Sequence, residues 1–229
     1  MSLLIVAVAL VCSLANAEGA GDAAQKRAFQ TNNAACKIKA DKNACAKVAR
    51  AWLLGEGVEV NFAFASELAT DACANNVGEG CYVLGRVALS KEKWAEVAKL
   101  FEKSCDLSFA EGCVDLGLWV YRNGNGGAPK DPNREVALYK RGCELKLAGA
   151  CLEAGDMYNS VRGSGSLPAD DTAAAGYYRQ GCELNEAQCC FQLARAHKFG
   201  EGVEKDSKLK AQFAAKACKL GEKNACGKW

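Results

Sequence analysis

Residues 182–218 read CELNEAQCCFQLARAHKFGEGVEKDSKLKAQFAAKAC, and this stretch decides the fold. A cysteine pair opens it, Cys182 and Cys190 with seven residues between them. An apolar-periodic segment, Cys190-Phe191-Gln192-Leu193-Ala194, then runs toward Phe199, where Gly200-Glu201-Gly202-Val203 supplies a breaker. Asp206 stands where a helix N-cap belongs, and Leu209, Phe213 and Ala217 recur at spacings of four before Cys218, as one face of a second helix does. The stretch predicts two helices around a glycine turn, bounded by cysteines.

Outward from it the same plan recurs. Leu54-Gly55-Glu56-Gly57-Val58 precedes Asn61 in the cap role. Gly124-Asn125-Gly126-Gly127 precedes Asp131, and Gly163-Ser164-Gly165 precedes Asp170 and Asp171, both in longer loops. The unit from Cys81 to Cys105 drops the glycine loop. Twelve of the 14 cysteines fall into six pairs: Cys36/Cys45, Cys73/Cys81, Cys105/Cys113, Cys143/Cys151, Cys182/Cys190 and Cys218/Cys226. Their first members recur after 37, 32, 38, 39 and 36 residues, the self-similarity of a solenoid. On one continuous helix, residues eight apart lie about 12 Å apart along the axis, whereas a disulfide needs Cα atoms within about 4.4–6.8 Å. A turn therefore separates the partners, and each bridge staples one helix end to the next helix start. The fold class expected is all-α: an α/α solenoid, or superhelix, of helix-turn-helix repeats with a disulfide per repeat. Spacing favours Cys190 over Cys189 as the partner of Cys182, with the other left as a free thiol.

Comparison between repeats adds two slots. Four residues after the second cysteine stand Ala49, Gly85, Gly117, Gly155 and Ala194, all small, which marks close helix approach. Seven residues after it stand Trp52, Ala88, Val120, Tyr158 and His197, so the single histidine occupies a core-type slot and reads as structural.

Composition narrows the functions. The chain has 229 residues, half of them apolar, and three prolines, which excludes disorder as the main state and favours helix. A net charge of +2 gives no field for nucleic acid or anionic lipid, and neither is expected as a partner. One histidine, and no Cys-x2-4-Cys spacing, leave no expected metal site or cofactor. Residues 2–15 form an apolar run followed by Ala15-Asn16-Ala17, which reads as a signal peptide over 1–17, too short for a membrane span. A secreted or periplasmic protein meets oxidising conditions that suit the bridges. The expected organisation is the signal at 1–17, an N-terminal helix as a half repeat over 18–44, and about five helix pairs over 45–229.

The pattern A-C-x7-C-x2-L-G, the G-x-G-V loop, the acidic cap and a helix ending in A-C resemble the Sel-one-like (Sel1) repeat. Cys-x7-Cys pairs in an exported array are similar to those of the Helicobacter cysteine-rich protein family. The resemblance covers roughly residues 30–228. Departures are the extra residue in the first pair, the missing loop in the second unit and the extra cysteine beside Cys190. It implies a weak β-lactamase or penicillin-binding activity. Ser90-Lys91-Glu92-Lys93 and Ser207-Lys208-Leu209-Lys210 match S-x-x-K by letters, but the companion motifs S-D-N and K-T-G are missing. Cys189 has only His197 as a base, about two turns away on a helix, an awkward dyad. Trp119, Tyr121, Tyr177 and Tyr178 fall at helical spacing and read as core. With no catalytic set assembled, the leading expectation is an exported scaffold whose concave face binds a protein, a peptide or a cell-wall fragment. The alternative is hydrolysis of a β-lactam, and a third reading is a cysteine-rich array in the mitochondrial intermembrane space.

Overall fold

The computed structural model describes residues 22–163 and 166–227. The signal-like segment 1–17 lies outside them, as do Ser164 and Gly165. A helix over residues 22–39 (α1) leads into α2 (Lys42–Leu54), α3 (Phe62–Ala74), α4 (Gly78–Ser90) and α5 (Trp94–Asp106). These form one compact unit, up to Leu107. From Ser108 a second unit holds α6 (Ala110–Asp115), a π-helical continuation (Leu116–Arg122), α7 (Pro132–Glu144), α8 (Ala148–Tyr158), α9 (Asp171–Glu183), α10 (Ala187–Phe199) and α11 (Ser207–Lys219). The architecture is all-α, an α/α solenoid of helix pairs: α2/α3, α4/α5, α6/α7, α8/α9 and α10/α11.

Two kinds of turn make the pairs. Within a pair, the first helix of α2/α3 and of α10/α11 ends on a left-handed glycine, Gly55 (φ 78) or Gly200 (φ 79). The next helix then starts on a side-chain cap. Asn61 accepts from the N–H groups of Ala63 and Phe64, Asp131 from Arg134, Asp170 from Ala173, and Asp206 from Lys208 and Leu209. The α4/α5 link lacks glycine and uses Glu92 at φ 53 instead. Its turn closes by Glu92 N–H to Leu89 C=O and Lys93 N–H to Ala88 C=O, a Schellman motif.

Between pairs the same Schellman motif recurs. The third residue after the first cysteine is left-handed: Asn76 (φ 60), Ser108 (φ 62), Lys146 (φ 69), Asn185 (φ 66) and Gly221 (φ 102). At Lys146 the N–H donates to the Cys143 carbonyl, and the Leu147 N–H reaches back to Gly142. This reversal brings the cysteine Cα atoms to 4.5–5.0 Å in Cys73–Cys81, Cys143–Cys151, Cys182–Cys190 and Cys218–Cys226, and a turn through left-handed Ala40 (φ 52) brings Cys36 and Cys45 to 4.7 Å. Cys105 and Cys113 are disulfide-bonded too. Lys103 Nζ donates to the Cys73 carbonyl at 2.9 Å, and Lys216 Nζ to that of Cys182 at 2.6 Å, so a lysine from the following second helix satisfies a helix-end carbonyl.

The small residues four after the second cysteine make room for rings. A Cβ on Gly85 would lie 2.5 Å from the Phe101 ring, on Gly117 3.1 Å from that of Tyr139, and on Gly155 2.6 Å from that of Tyr178. Each ring stands four residues before the next first cysteine. Where the small residue is Ala49 or Ala194, that position is Ala69 or Ala214. A volume on one helix is thus matched by a void on its neighbour, as close packing demands.

Candidate functional site: a charged groove in the second unit

The π-helical turn builds the site. In the other glycine-loop pairs, the cap residue's N–H donates to the carbonyl seven residues after the second cysteine: Asn61 to Trp52, Asp170 to Tyr158 and Asp206 to His197. In the α6/α7 pair Asp131 donates to Tyr121, eight residues after Cys113. The π turn absorbs one extra residue, so Tyr121 and not Val120 takes the slot, which corrects the comparison made from spacing alone. Arg122 follows, aimed between α7 and α8.

Arg122 Nε lies 2.5 Å from Glu135 Oε1, and its other arm 2.8 Å from Glu153 Oε2. Glu135 is buried, and a buried carboxylate of this kind requires a charged partner. Burial works against the charge on Arg122, but the hydrogen bonds to Glu153 and Glu135 outweigh it and hold the guanidinium above its ordinary range. The ring of Tyr139 lies under that guanidinium at 5.4 Å, and burial pushes its phenol up. One repeat on, Arg162 clasps both oxygens of Asp156 at 2.7 and 2.5 Å, and Tyr178 donates its hydroxyl to the same carboxylate at 2.8 Å. Burial raises the Tyr178 phenol as well.

Arg122, Glu135, Glu153, Asp156 and Arg162 border a groove of about 570 Å³ between the π turn, α8 and the loops that follow them, with Tyr139 and Tyr178 buried behind them; Tyr121, Lys130, Pro132, Met157 and Ser166 complete its lining. Its three basic and three acidic side chains balance. Lys130 makes no ion pair among the described residues. With both arginines engaged by carboxylates, the groove offers paired charges and hydrogen-bonding groups for recognition.

The residues singled out for chemistry lie elsewhere. The Ser90 hydroxyl donates to the Val87 carbonyl at 2.8 Å, while Lys93 reaches Glu96 at 3.0 Å, so the S-x-x-K letters build no Ser–Lys pair there. Ser207 is the first residue of α11, after the Asp206 cap. His197 is buried, with its Nδ1 3.0 Å from the Glu204 carbonyl and its ring stacked on Phe213 at 5.7 Å, and it pins the glycine loop to α11. Cys189 is free and buried, and burial raises its thiol. Its sulfur fills the space opposite Gly181, where a Cβ would lie 2.3 Å away. Equivalent slots pair Gly142 with Ala150 and Ala72 with Gly80, so Cys189 acts as a space filler. No group of three or more His, Cys, Asp or Glu residues suited to a metal is present among the described residues.

Of the four aromatics read as core, Tyr178 is buried and Tyr177 stacks on Tyr158 at 6.2 Å beneath Lys140. Tyr121 instead lines the groove, with Arg134 over its ring at 4.6 Å. Spacing missed the groove because its arginines carry no periodic signature. The one available signal was the extra residue before Asp131, and the variable loop lengths hide it.

The family model for the Sel1 repeat matches residues 110–147, 148–186 and 187–222. Cytochrome c oxidase assembly factor 7 of Xenopus tropicalis is 29% identical over 149 residues, 58% of this chain and 63% of that protein. The Drosophila melanogaster homolog is 29% identical over 101 residues, 43% of this chain and 35% of its own. The chain thus spans less than two thirds of the length of the curated relatives it matches. Among solved structures, a Sel1 repeat protein from Oxalobacter formigenes superposes with a TM-score of 0.67 at 21% identity, covering 81% of this chain and 75% of that one. A protective antigen of uropathogenic Escherichia coli with an SLR fold gives 0.67 at 20% identity, covering 88% and 43%. At these identities the structural likeness concerns the fold.

Proposed function

This chain belongs to the Sel1-like repeat proteins, and from that premise we propose that it is an exported interaction scaffold that grips a segment of a partner polypeptide in the groove between the π turn and α8. The observation that carries the reading is the two sets of arginine–carboxylate pairs that line it, Arg122 with Glu135 and Glu153 and Arg162 with Asp156, whose carboxylates stand on helices α7 and α8 that a disulfide joins. Fixed donors and acceptors at the spacing of neighbouring helices suit a chain laid across them, with little ordering cost on binding. Residues 1–17 serve as the export signal, and a secreted or periplasmic setting keeps the bridges oxidised.

A photo-crosslinking residue at Met157 in the full chain, expressed in its own cells, tests the groove. Polypeptide adducts at that position that vanish with Arg162→Ala are expected. Adducts indifferent to Arg162, or none above those from a probe at exposed Lys219, would sink the reading. Hydrolysis of a β-lactam is implied by family resemblance alone, and the geometry around Ser90 lends it nothing.

A second reading draws on the similarity to cytochrome c oxidase assembly factors over 58% of the chain. Here the same scaffold works in the mitochondrial intermembrane space, on a polypeptide awaiting assembly. Sequencing the amino terminus of the purified protein separates the two: a start at Glu18 supports export, whereas an intact apolar run in a mitochondrial fraction supports the second.

A further inference from the structure

The first unit carries an apolar corner that its own fold does not require. Val60, Phe62 and Phe64 flank the Asn61 cap and stand 55%, 44% and 51% exposed. At the same places relative to the cap, the α10/α11 pair has Lys205, Ser207 and Leu209, and the α6/α7 pair has Lys130, Pro132 and Arg134. A cap of this kind works with polar neighbours, so capping does not explain large exposed apolar groups on three of the five positions from 60 to 64. Clustered exposed apolar groups mark contact sites.

The corner is held rigid. The Asn61 N–H donates to the Trp52 carbonyl at 2.8 Å, and the Phe64 ring packs 5.2 Å from Trp52, which in turn meets Phe29 at 5.6 Å. A Cβ on Gly55 would lie 3.1 Å from Val60 Cγ2, so this side chain sits close over the turn. Gly57 is pressed against the backbone of Gln25 and Lys26, where a Cβ would approach to 2.6 Å.

Its charge is one-sided. From Ala51 to Gly85 the sequence has five acids (Glu56, Glu59, Glu67, Asp71 and Glu79) and no base, in a chain whose net charge is +2. Lys42 neutralises Asp71 at 2.5 Å and Arg50 lies 3.6 Å from Glu79. Glu59 and Glu67, on the loop and helix that carry the apolar corner, make no ion pair among the described residues, nor does Glu56, which borders a pocket with Lys47 and Arg50.

We infer that this corner docks a partner protein through a segment with apolar anchors flanked by lysine or arginine. The anchors cover Val60, Phe62 and Phe64, and the flanking bases meet Glu56, Glu59 and Glu67. Charge complementarity selects this occupant: an anionic membrane or an acidic peptide would be repelled by the same carboxylates. The site is separate from the groove of the second unit.

A random-peptide display selection on the oxidised full chain tests it, with two variants as counter-targets. Val60→Lys/Phe62→Ser installs residues that the α10/α11 pair already carries at these positions, and Glu56→Gln/Glu59→Gln/Glu67→Gln removes the charge without touching the core. Enriched peptides are expected to combine aliphatic or aromatic residues with Lys or Arg, and to bind either variant at least about tenfold more weakly. Added salt should weaken binding to the parent and leave the glutamine variant unaffected. Enrichment of acidic or uncharged peptides, binding to either variant as tight as to the parent, or no enrichment at all overturns the inference. So does binding to phosphatidylcholine vesicles that Val60→Lys/Phe62→Ser abolishes, which would assign the corner to a bilayer. Unchanged melting of both variants by circular dichroism certifies the comparison.

Discussion

At Gly155 a single methyl group would sit 2.6 Å from the Tyr178 ring, inside the contact distance of any carbon pair. Gly155→Ala should therefore destabilise the second unit by about 1–3 kcal/mol, the usual cost of overpacking. In the double variant with Tyr178→Ala, which copies the Ala194/Ala214 arrangement, the glycine substitution should cost much less. Urea unfolding of the four members of the cycle measures the coupling, and additive effects would mean that the two residues do not share one space. The small position itself could be read from the sequence by comparing repeats. Its ring partner could not, because the match runs between helices and depends on how far the second helix is rotated. Cys189 shows the same limit. An adjacent cysteine pair invites a chemical reading, and only the void at Gly181 reveals the thiol as packing.

Among the elements, helix starts and stops were the best-written part of the sequence. Glycine loops followed by Asn61, Asp131, Asp170 or Asp206 announce caps, and the caps are where those letters stand. The Schellman turns between pairs were harder to see, since Lys146 and Ser108 occupy left-handed positions usually given to glycine. Lys146→Gly should stabilise the second unit by a net of about 0.5–1 kcal/mol, as relief of the left-handed penalty exceeds the added chain entropy of glycine. Thermal unfolding of the oxidised protein checks it; a loss of stability would count against the strain assigned to this turn.

The α11 cap gives a pH dependence with a definite sign. Backbone N–H donation, from Leu209 above all, holds the Asp206 carboxyl below its ordinary range, with His197 and Lys208 adding to the effect. Because the folded value is depressed, the cap's contribution is whole above the unfolded carboxylate range and is lost as pH falls through the folded value. A carboxyl carbon NMR titration should show Asp206 with a midpoint below that of an exposed aspartate, and an ordinary midpoint would contradict the cap. The π turn before Asp131 had no comparable signature. One inserted residue looks the same in sequence whether a helix or a loop absorbs it.

Within each unit, the helix pairs pack on one another and a bridge closes a short loop between them. In the chain-entropy view such a bridge adds about 2–3 kcal/mol, comparable with much of a small domain's stability. Excess reductant should lower the melting temperature sharply, and hydrogen exchange should show protection lost first in the helices flanking each opened bridge. An unchanged melting temperature would show that packing alone sustains the array. The helical class and the cysteine pairs at disulfide distance followed from cysteine spacing because covalent geometry permits few solutions. The groove and the apolar corner rest on single residues that break the repeat, and periodicity carries no information about its own exceptions.

Gly202 sits so close over the first turn of α9 that a Cβ would lie 1.9 Å from the Asp171 carbonyl oxygen. The ribosome delivers residue 171 about thirty residues before residue 202. Until the later loop emerges, the opening turn of that helix is bare, and anything that binds nascent chains has a brief access to it that the finished protein never offers. Here α9 is closed by the loop of the repeat that follows it, and a chain stalled before residue 202 exposes a helix whose lid has not yet been made.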